Sequence, residues 1–501
     1  MKKIKFILTS LALVSLLSCT FDNENPNRIL QEDIRPDQIM PGAMVSTYSI
    51  QARSMNILGN RFMQNWYGNI NDVTGFDTSP EYTLNIDNSF YTDIWDGMYR
   101  SVNNFHQILN YDSQDYDNHK AIAYIMEAYY MQYIVDLYGD APYSEAFKGS
   151  AQISPAYDDD AQIYFNLVEN INKAIVMIGD ADANDKVVAN EDVMYNGNMN
   201  AWINFANLLK TRMLLRQSGL TGTNPNGESY PSYIANEFAA IAAIGVPTAV
   251  ATTINPGYST TNAAQLNPAY ALFFTTTGNA AAFGAQATAS GYIADFMNGD
   301  IPSKPVVDPR RAQLYKLEGG KVVAAYQGEN TGDNPAYLAL TLSKVKALFP
   351  AASSDGVVMS ESEAWFLLSE AFEKGYLTGT AETAFNNGIT ASFNFLGTPT
   401  ADLTTYLTAI NAVPGLGWNG GNHLEAIMTQ KWIAVNGVNP IESYIDYTRT
   451  GYPVLPLATT ALYPNRPYRL SYPLSEFVAN SANVPSLPQA QLFVQGPFWK
   501  N

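Results

Sequence analysis

The sequence predicts a mainly α-helical protein, in which helical hairpins form a scaffold that carries a loop-rich insert and an extended C-terminal tail. Three observations support this prediction. Apolar residues recur at steps of three and four before residue 219 and after residue 347. Between those positions the periodicity largely fails, and Gly, Thr, Asn, Ala and Ser dominate. From Gly451 to Asn501 prolines recur, and they disfavour helices and favour an extended chain.

The N-terminal residues have the pattern of an export signal followed by a tether. Lys2, Lys3 and Lys5 precede an uncharged stretch that is shorter than the roughly 20 residues of a membrane span. We therefore expect residues 1–18 to be a lipoprotein signal peptide. The residues Leu-Leu-Ser before Cys19, the only cysteine, resemble a bacterial lipobox, so Cys19 is the expected site of lipidation. Residues 19–33 are then a polar tether, because they have too few apolar residues to pack.

Paired apolar repeats predict the helical scaffold within one domain, residues 34–501. Residues 34–218 and 348–450 each contain two pairs, whose spacing is irregular and lacks a clean period of about 34 residues. The pairs are Phe90–Leu109 with Met126–Leu137, Ile163–Ile175 with Trp202–Met213, Trp365–Phe372 with Phe385–Phe393, and Leu424–Val435 with Ile441–Tyr447.

The insert, residues 219–347, is expected to be loop-rich, with one short helix at Ile234–Ala243. Long loops on a rigid scaffold commonly carry binding sites, so we expect the insert to contribute to a ligand face. The tail, residues 451–501, is expected to run extended over the helices.

Composition excludes several functions. With 28 basic and 46 acidic residues the net charge is −18, which repels phosphate backbones and argues against a nucleic-acid partner. The three histidines lack metal-ligand spacing, which argues against a zinc site or a histidine-based triad. No glycine loop of the phosphate-binding type occurs. No segment after the signal peptide is apolar enough to span a bilayer, so membrane attachment is expected only through the lipid anchor.

One string of residues has the spacing of a calcium loop. Asp180, Asp182, Asn184 and Glu191 fall at positions 1, 3, 5 and 12 of an EF-hand-type loop. Position 6 is Asp185, where the motif has glycine, and no helix follows promptly after Glu191. A calcium site and a solvated acidic loop are both open interpretations, and no other cofactor or metal is expected.

An ordered set of motifs resembles the SusD/RagB-type outer-membrane lipoproteins. The stretch Leu137–Ala146, LYGDAPYSEA, resembles the signature LYGD-x-PY-x-E of that family. Further matches follow in the family's order at Asp308–Arg310, Gln430–Trp432, Arg449–Pro453 and Arg469–Asn480. The resemblance implies a non-catalytic lipoprotein on the cell-surface face of the outer membrane, built on tetratricopeptide-like helices. It also implies a glycan ligand, or sometimes a peptide, and a SusC-type TonB-dependent transporter as partner.

Candidate ligand-binding residues lie on a Gly- and Asn-rich loop between predicted helices. Sugar recognition needs aromatic faces with nearby amides or carboxylates, and this loop has both in Trp66, Tyr67, Asn69, Asn71 and Phe76. In relatives this region contributes to the glycan face. The alternative is that the two aromatic residues at its start complete the preceding helix.

A second group of candidate aromatic residues lies in the insert. Its members are Tyr258, Phe283, Tyr292 and Tyr326, for which a place in the core is the alternative.

The sequence alone leaves two other functions open. The first is a peptide receptor of the same architecture, since the acidic excess would favour basic peptides. The second is a helical glycoside hydrolase, because its paired carboxylates meet in space and cannot be identified from sequence.

Overall fold

Helices dominate the computed structural model, which describes residues 34–68, 79–329 and 334–500. The predicted signal peptide, Cys19 and the predicted tether lie outside these residues. The first helices are α1 (Pro36–Ile50), α2 (Asn56–Phe62), α3 (Pro80–Thr83), α4 (Thr92–Leu109), α5 (Asp117–Tyr138), α6 (Asp160–Asp180), α7 (Met199–Gln217) and α8 (Tyr230–Ile244). The later ones are α9 (Tyr270–Phe273), α10 (Ala282–Gln286), α11 (Gly291–Asn298), α12 (Arg311–Leu314), α13 (Glu361–Glu373), α14 (Ala381–Leu396), α15 (Thr400–Ile410), α16 (His423–Ala434), α17 (Ile441–Thr450) and α18 (Leu474–Ala479).

The central helix of the scaffold is α5, because every residue from Ala121 to Tyr138 except Tyr124 is buried. A helix that is apolar all round must be covered on all sides. Helices α4 and α6 pack against α5, and α1 and α7 contact it as well. The predicted pairs α4 with α5, α6 with α7, α13 with α14 and α16 with α17 all pack together. The predicted helical-hairpin fold class is confirmed.

The sequence analysis expected a helix before Trp66 but did not predict the bounds of α1 and α2. Helix α1 contains Pro41, and the π-helical segment Gln51–Met55 separates α1 from α2. Both features disturb the spacing of three and four residues on which helix prediction rests. Helix α1 nevertheless buries Met40, Met44 and Tyr48 and packs against α4.

Two short antiparallel sheets connect the insert to the scaffold. Strand β1 (Trp66–Tyr67) pairs with β3 (Thr288–Ala289), and β2 (Thr252–Ile254) pairs with β4 (Gly356–Met359). In the first sheet Trp66 lies opposite Ala289. Within the insert, helix α8 is longer than the predicted Ile234–Ala243, and the short helices α9 to α12 were not predicted. Most of the remaining insert residues are irregular, as expected.

A buried ionic network joins four helices. Arg212 and Arg216 on α7 contact Asp136 on α5, Glu363 on α13 and Glu442 on α17, and all five side chains are at most 2% exposed. Glu442 bridges the two arginines, at 2.8 Å from Arg216 Nη2 and 3.3 Å from Arg212 Nη1. The arginines lower the pKa of Glu442 against the opposing effect of its burial.

The C-terminal tail returns to the α5–α6 hairpin and is irregular apart from α18 and a 3-10 turn, Gln489–Phe493. The backbone N–H of Leu470 donates to the carbonyl of Leu137 at 2.6 Å. Trp499 Nε1 donates to the carboxylate of Asp136 at 2.9 Å, so the tail also reaches the buried ionic network.

Candidate functional site

The first two predicted ligand-binding residues are buried. Trp66 is 2% and Tyr67 1% exposed. Because β1 pairs with β3, the Trp66 indole is enclosed by the rings of Phe273 and Phe283, whose centroids lie 6.0 and 5.5 Å away. The expectation that Trp66 and Tyr67 are exposed on a loop is wrong. The alternative, in which they complete the preceding helix, is right about their burial but not about their secondary structure, because they form strand β1.

Asn69, Asn71 and Phe76 lie outside the described residues, but both ends of the segment 69–78 are described. The ring of Tyr67 stacks on the ring of Tyr82, with centroids 5.1 Å apart and planes 21° apart. Thr288 Oγ1 donates to the backbone carbonyls of Tyr67 and Gly68 at 3.2 and 3.1 Å. The chain therefore enters and leaves this segment from one packed base.

Beside this base lies a group of polar and aromatic side chains that we call the Tyr326 face: Asp295, Tyr326, Glu329 and Tyr337. The Tyr67 hydroxyl donates to the Glu329 carbonyl at 2.8 Å, which connects the face to the base. The hydroxyls of Tyr326 and Tyr337 donate to the carboxylates of Asp295 and Glu329 respectively.

Tyr326 is the exposed aromatic ring of this face, at 38%. It lies against Gly291, where an added Cβ would come within 2.6 Å of the ring. Burial, reinforced by the hydrogen bond to Asp295, raises the pKa of Tyr326, so its hydroxyl remains protonated at neutral pH. The arrangement presents a neutral ring next to a carboxylate, a pair suited to a sugar's C–H face and hydroxyls.

The other candidates from the insert pack against the core, where Tyr258 is buried and Phe283 and Tyr292 are half-buried. Tyr258 is buried, and Phe283 packs on Trp66 and on Phe273. Tyr292 lies 6.2 Å from the ring of Trp432, and its hydroxyl donates to the carbonyl of Val454. The core alternative describes Tyr258, whereas Phe283 and Tyr292 lie at the edge of the core and stay partly accessible. The structure thus brings Tyr326 to the base of the predicted loop and directs Tyr258 elsewhere.

Sequence reasoning missed Tyr82, Asp295, Glu329 and Tyr337. None of them belongs to a motif or a periodic stripe, and they meet only because the insert folds back onto β1. The one available signal was the aromatic and acidic composition of residues 326–337, which does not reveal a spatial neighbour.

The calcium prediction receives no support from the geometry. Asp180 ends α6, and Asp182 Oδ1 accepts the backbone N–H of Asn184 at 2.7 Å. Glu191 instead contacts the buried His119, with Oε1 and Nε2 3.1 Å apart. Within the described ranges, the acidic groups of Asp180, Asp182 and Glu191 do not converge as metal ligands would. The sequence spacing matched that of a calcium loop, but the side chain of Glu191 is directed toward His119 on α5.

Solved structures share this fold. A chitin-binding SusD homologue from Flavobacterium johnsoniae is 20% identical with a TM-score of 0.71, covering 92% of this chain and 98% of its own. A SusD homologue from Bacteroides uniformis is 22% identical with a TM-score of 0.69, and the match covers 92% of this chain and 99% of the homologue. A SusD-like protein from Bacteroides thetaiotaomicron is 21% identical with a TM-score of 0.67, and the match covers 89% of this chain and 94% of that protein.

Further comparisons concern sequence families and membrane spans. No curated protein matches the chain. Among the described residues, no helix has both the length and the apolar character needed to cross a membrane. The model of a SusD-like family, described as starch-binding and associating with the outer membrane, matches residues 26–473. The expected family is confirmed by this match over most of the sequence, and the chain belongs to the SusD-like family.

Proposed function

We propose that this protein captures oligo- or polysaccharides at the cell surface and passes them to a SusC-type TonB-dependent transporter. It is anchored in the outer membrane through lipidated Cys19 and performs no covalent chemistry. Membership of a family described as starch-binding and associating with the outer membrane carries this proposal. A solved relative of the same fold is described as chitin-binding.

The glycan face combines the segment 69–78 with the Tyr326 face. Phe76 and Tyr326 offer rings for stacking, and Asn69, Asn71 and the carboxylate of Asp295 meet the sugar hydroxyls. Trp66 and Tyr67 hold the base of the segment without touching ligand. Binding at each sugar can be weak, since several sites along one polymer act together.

The decisive experiment is electrophoresis of residues 20–501 through gels that contain soluble starch, glycol chitin or xylan. At least one polysaccharide should retard the wild-type protein. Phe76→Ala and Tyr326→Ala should each reduce the retardation, and Tyr258→Phe, a change at a buried ring, serves as the control. Migration unaffected by every polysaccharide would contradict the proposal.

The same preparation discriminates the two rivals. Salt-sensitive binding of a basic peptide without any glycan response would favour a peptide receptor, in line with the acidic excess. Release of reducing sugar from any of the polysaccharides would identify a hydrolase.

The transporter partnership needs the lipidated protein in its native membrane. After mild detergent extraction, affinity purification should recover a β-barrel transporter together with this protein. Recovery of the protein alone, with its anchor intact, would contradict the partnership.

A further inference from the structure

An exposed phenylalanine lies at the C-terminal end of α14, away from the Tyr326 face. Phe395 is 44% exposed. Gly397 ends the helix in the left-handed region (φ 65°), and its N–H donates to the carbonyl of Asn394. Phe393 is buried beneath the guanidinium of Arg310, 5.2 Å from its ring centroid. Phe395 lies off the core stripe of the helix, and its ring meets the buried Phe349 edge-on, with centroids 6.5 Å apart, while the rest of the ring is open to solvent.

Phe395 separates two cavities. One has a volume of about 360 Å³ and lies between the β2–β4 sheet and the helices α13 and α14. The other, of about 330 Å³, lies beside Phe274 and Lys346. Leu348, Pro350 and Phe395 line both, so we treat the cavities as one surface, the Phe395 groove. Both volumes lie within the range of small-molecule sites, about 300–1,000 Å³.

Polar groups are placed on both sides of the ring. The larger cavity is lined by Thr253, Asp355, Glu361 and Asn394, and the smaller by Gln313. Within the described parts of the chain, the side-chain amides of Asn394 and Gln313 make no hydrogen bond, whereas Asp355 Oδ1 accepts one from Asn255 at 2.7 Å. The groove therefore places the Phe395 ring between two side-chain amides that other described residues leave unbonded, with Phe274 and Phe349 as further aromatic residues in its lining.

We infer that the Phe395 groove is a second carbohydrate-binding site, which takes an uncharged oligosaccharide lying across the Phe395 ring. This inference rests on the proposed function, which it extends to a second location. An aromatic ring stacks on sugar C–H faces, while amides and carboxylates satisfy hydroxyls. A cavity on each side of one ring favours an oligosaccharide over a single sugar.

The charge of the groove restricts the class of sugar. Asp355 and Glu361 line the larger cavity, and the net charge of the whole chain is −18. Uronic acids and sulfated sugars would be repelled by these carboxylates. Lys346 lies in the smaller cavity, where its Nζ donates to the carbonyl of Ala312 at 2.8 Å and keeps its positive charge, so the repulsion of anionic sugars applies to the larger cavity.

Calorimetric titration with maltohexaose, chitohexaose and xylohexaose tests this site by stoichiometry. The wild-type protein should bind two equivalents of at least one hexasaccharide. Phe395→Ala and Asn394→Ala should each lose one equivalent, or weaken it about tenfold, with an unchanged thermal midpoint because both side chains are exposed. Phe477→Ala is the matched control, since Phe477 on α18 is 38% exposed and should retain both equivalents.

The remaining outcomes separate the two proposals. Full stoichiometry and affinity in both groove variants would overturn the second site and leave the proposed function standing. A wild-type protein that binds none of the hexasaccharides would overturn both. A pentalysine peptide whose binding Phe395→Ala abolishes would assign the groove to peptides, and tight binding of a hexagalacturonate would overturn the restriction to uncharged sugars.

Discussion

The backbone N–H of Phe498 donates a 2.8 Å hydrogen bond to Oδ2 of Asp160, the first residue of α6. Burial raises the pKa of Asp160 to about 7, and the carboxylates of Asp140 and Asp159 act in the same direction, while the Phe498 N–H and Arg469 oppose them. An unfolded aspartate has a pKa of about 3.9, so the folded protein holds this proton more tightly. The stabilisation is complete below pH 4 and is lost as pH rises through 7.

Asp160→Asn should remove this pH dependence, because the amide stays neutral and its oxygen still accepts from Phe498. Relative to the wild type, the variant should gain stability between pH 4.5 and 8, by up to about 4 kcal/mol. Urea unfolding at several pH values measures the difference. An identical pH slope in both proteins would show that Asp160 does not titrate in this interval.

Trp66→Ala should destabilise the protein by about 3 to 5 kcal/mol, because it leaves a cavity where the indole meets Phe273 and Phe283. Trp66→Phe should recover part of that loss, since it restores apolar volume. Thermal melts compare the three proteins. An unchanged melting temperature in Trp66→Ala would instead mean that the ring is exposed, as the sequence alone suggested.

The burial of Trp66 shows where prediction from the sequence ends. Apolar spacing located α4 to α7 and α13, α14, α16 and α17, because the contacts that shape a helix lie three and four residues apart. The environment of Trp66 depends on Ala289, its partner in the sheet, and no local pattern connects those two residues. The Tyr326 face depends on the same long-range pairing, so composition identified its aromatic residue without its neighbours.

Gly291→Ala should impair glycan binding while preserving the fold. A Cβ at this position would lie 2.6 Å from the Tyr326 ring, and that exposed ring can move outward more easily than the backbone of α11. Gel retardation and circular dichroism measure the two effects. Gly42→Ala is the control, since open space surrounds a Cβ at that position. Gly149→Ala would not serve, because the φ of Gly149 is positive and alanine would be strained there. Retention of full binding would remove Tyr326 from the proposed face.

Glu442→Gln should lower the free energy of unfolding by about 3 to 5 kcal/mol, because it removes the carboxylate charge that the buried guanidinium groups of Arg212 and Arg216 contact. Glu318→Gln is the control, since its partner Lys316 is largely exposed, and its cost should stay within about 1 kcal/mol. Equilibrium unfolding in urea gives both values. Equal effects of the two substitutions would contradict a stabilising role for the buried network.

In cells that lack the proposed partner transporter, Cys19→Ala should release the folded protein from the membrane, because the proposed lipid chains are then its remaining attachment. Fractionation of cells should find the variant in the soluble fraction, with the melting temperature of residues 20–501. A variant that stays in the membrane fraction after a salt wash would contradict lipidation at Cys19.

The hydrogen bond from Trp499 to Asp136 joins positions 363 residues apart. During translation, the carboxylate at the centre of the scaffold lacks this donor until residue 499 has been synthesised. The buried ionic network therefore gains its last native donor only after the C-terminal tail has been made.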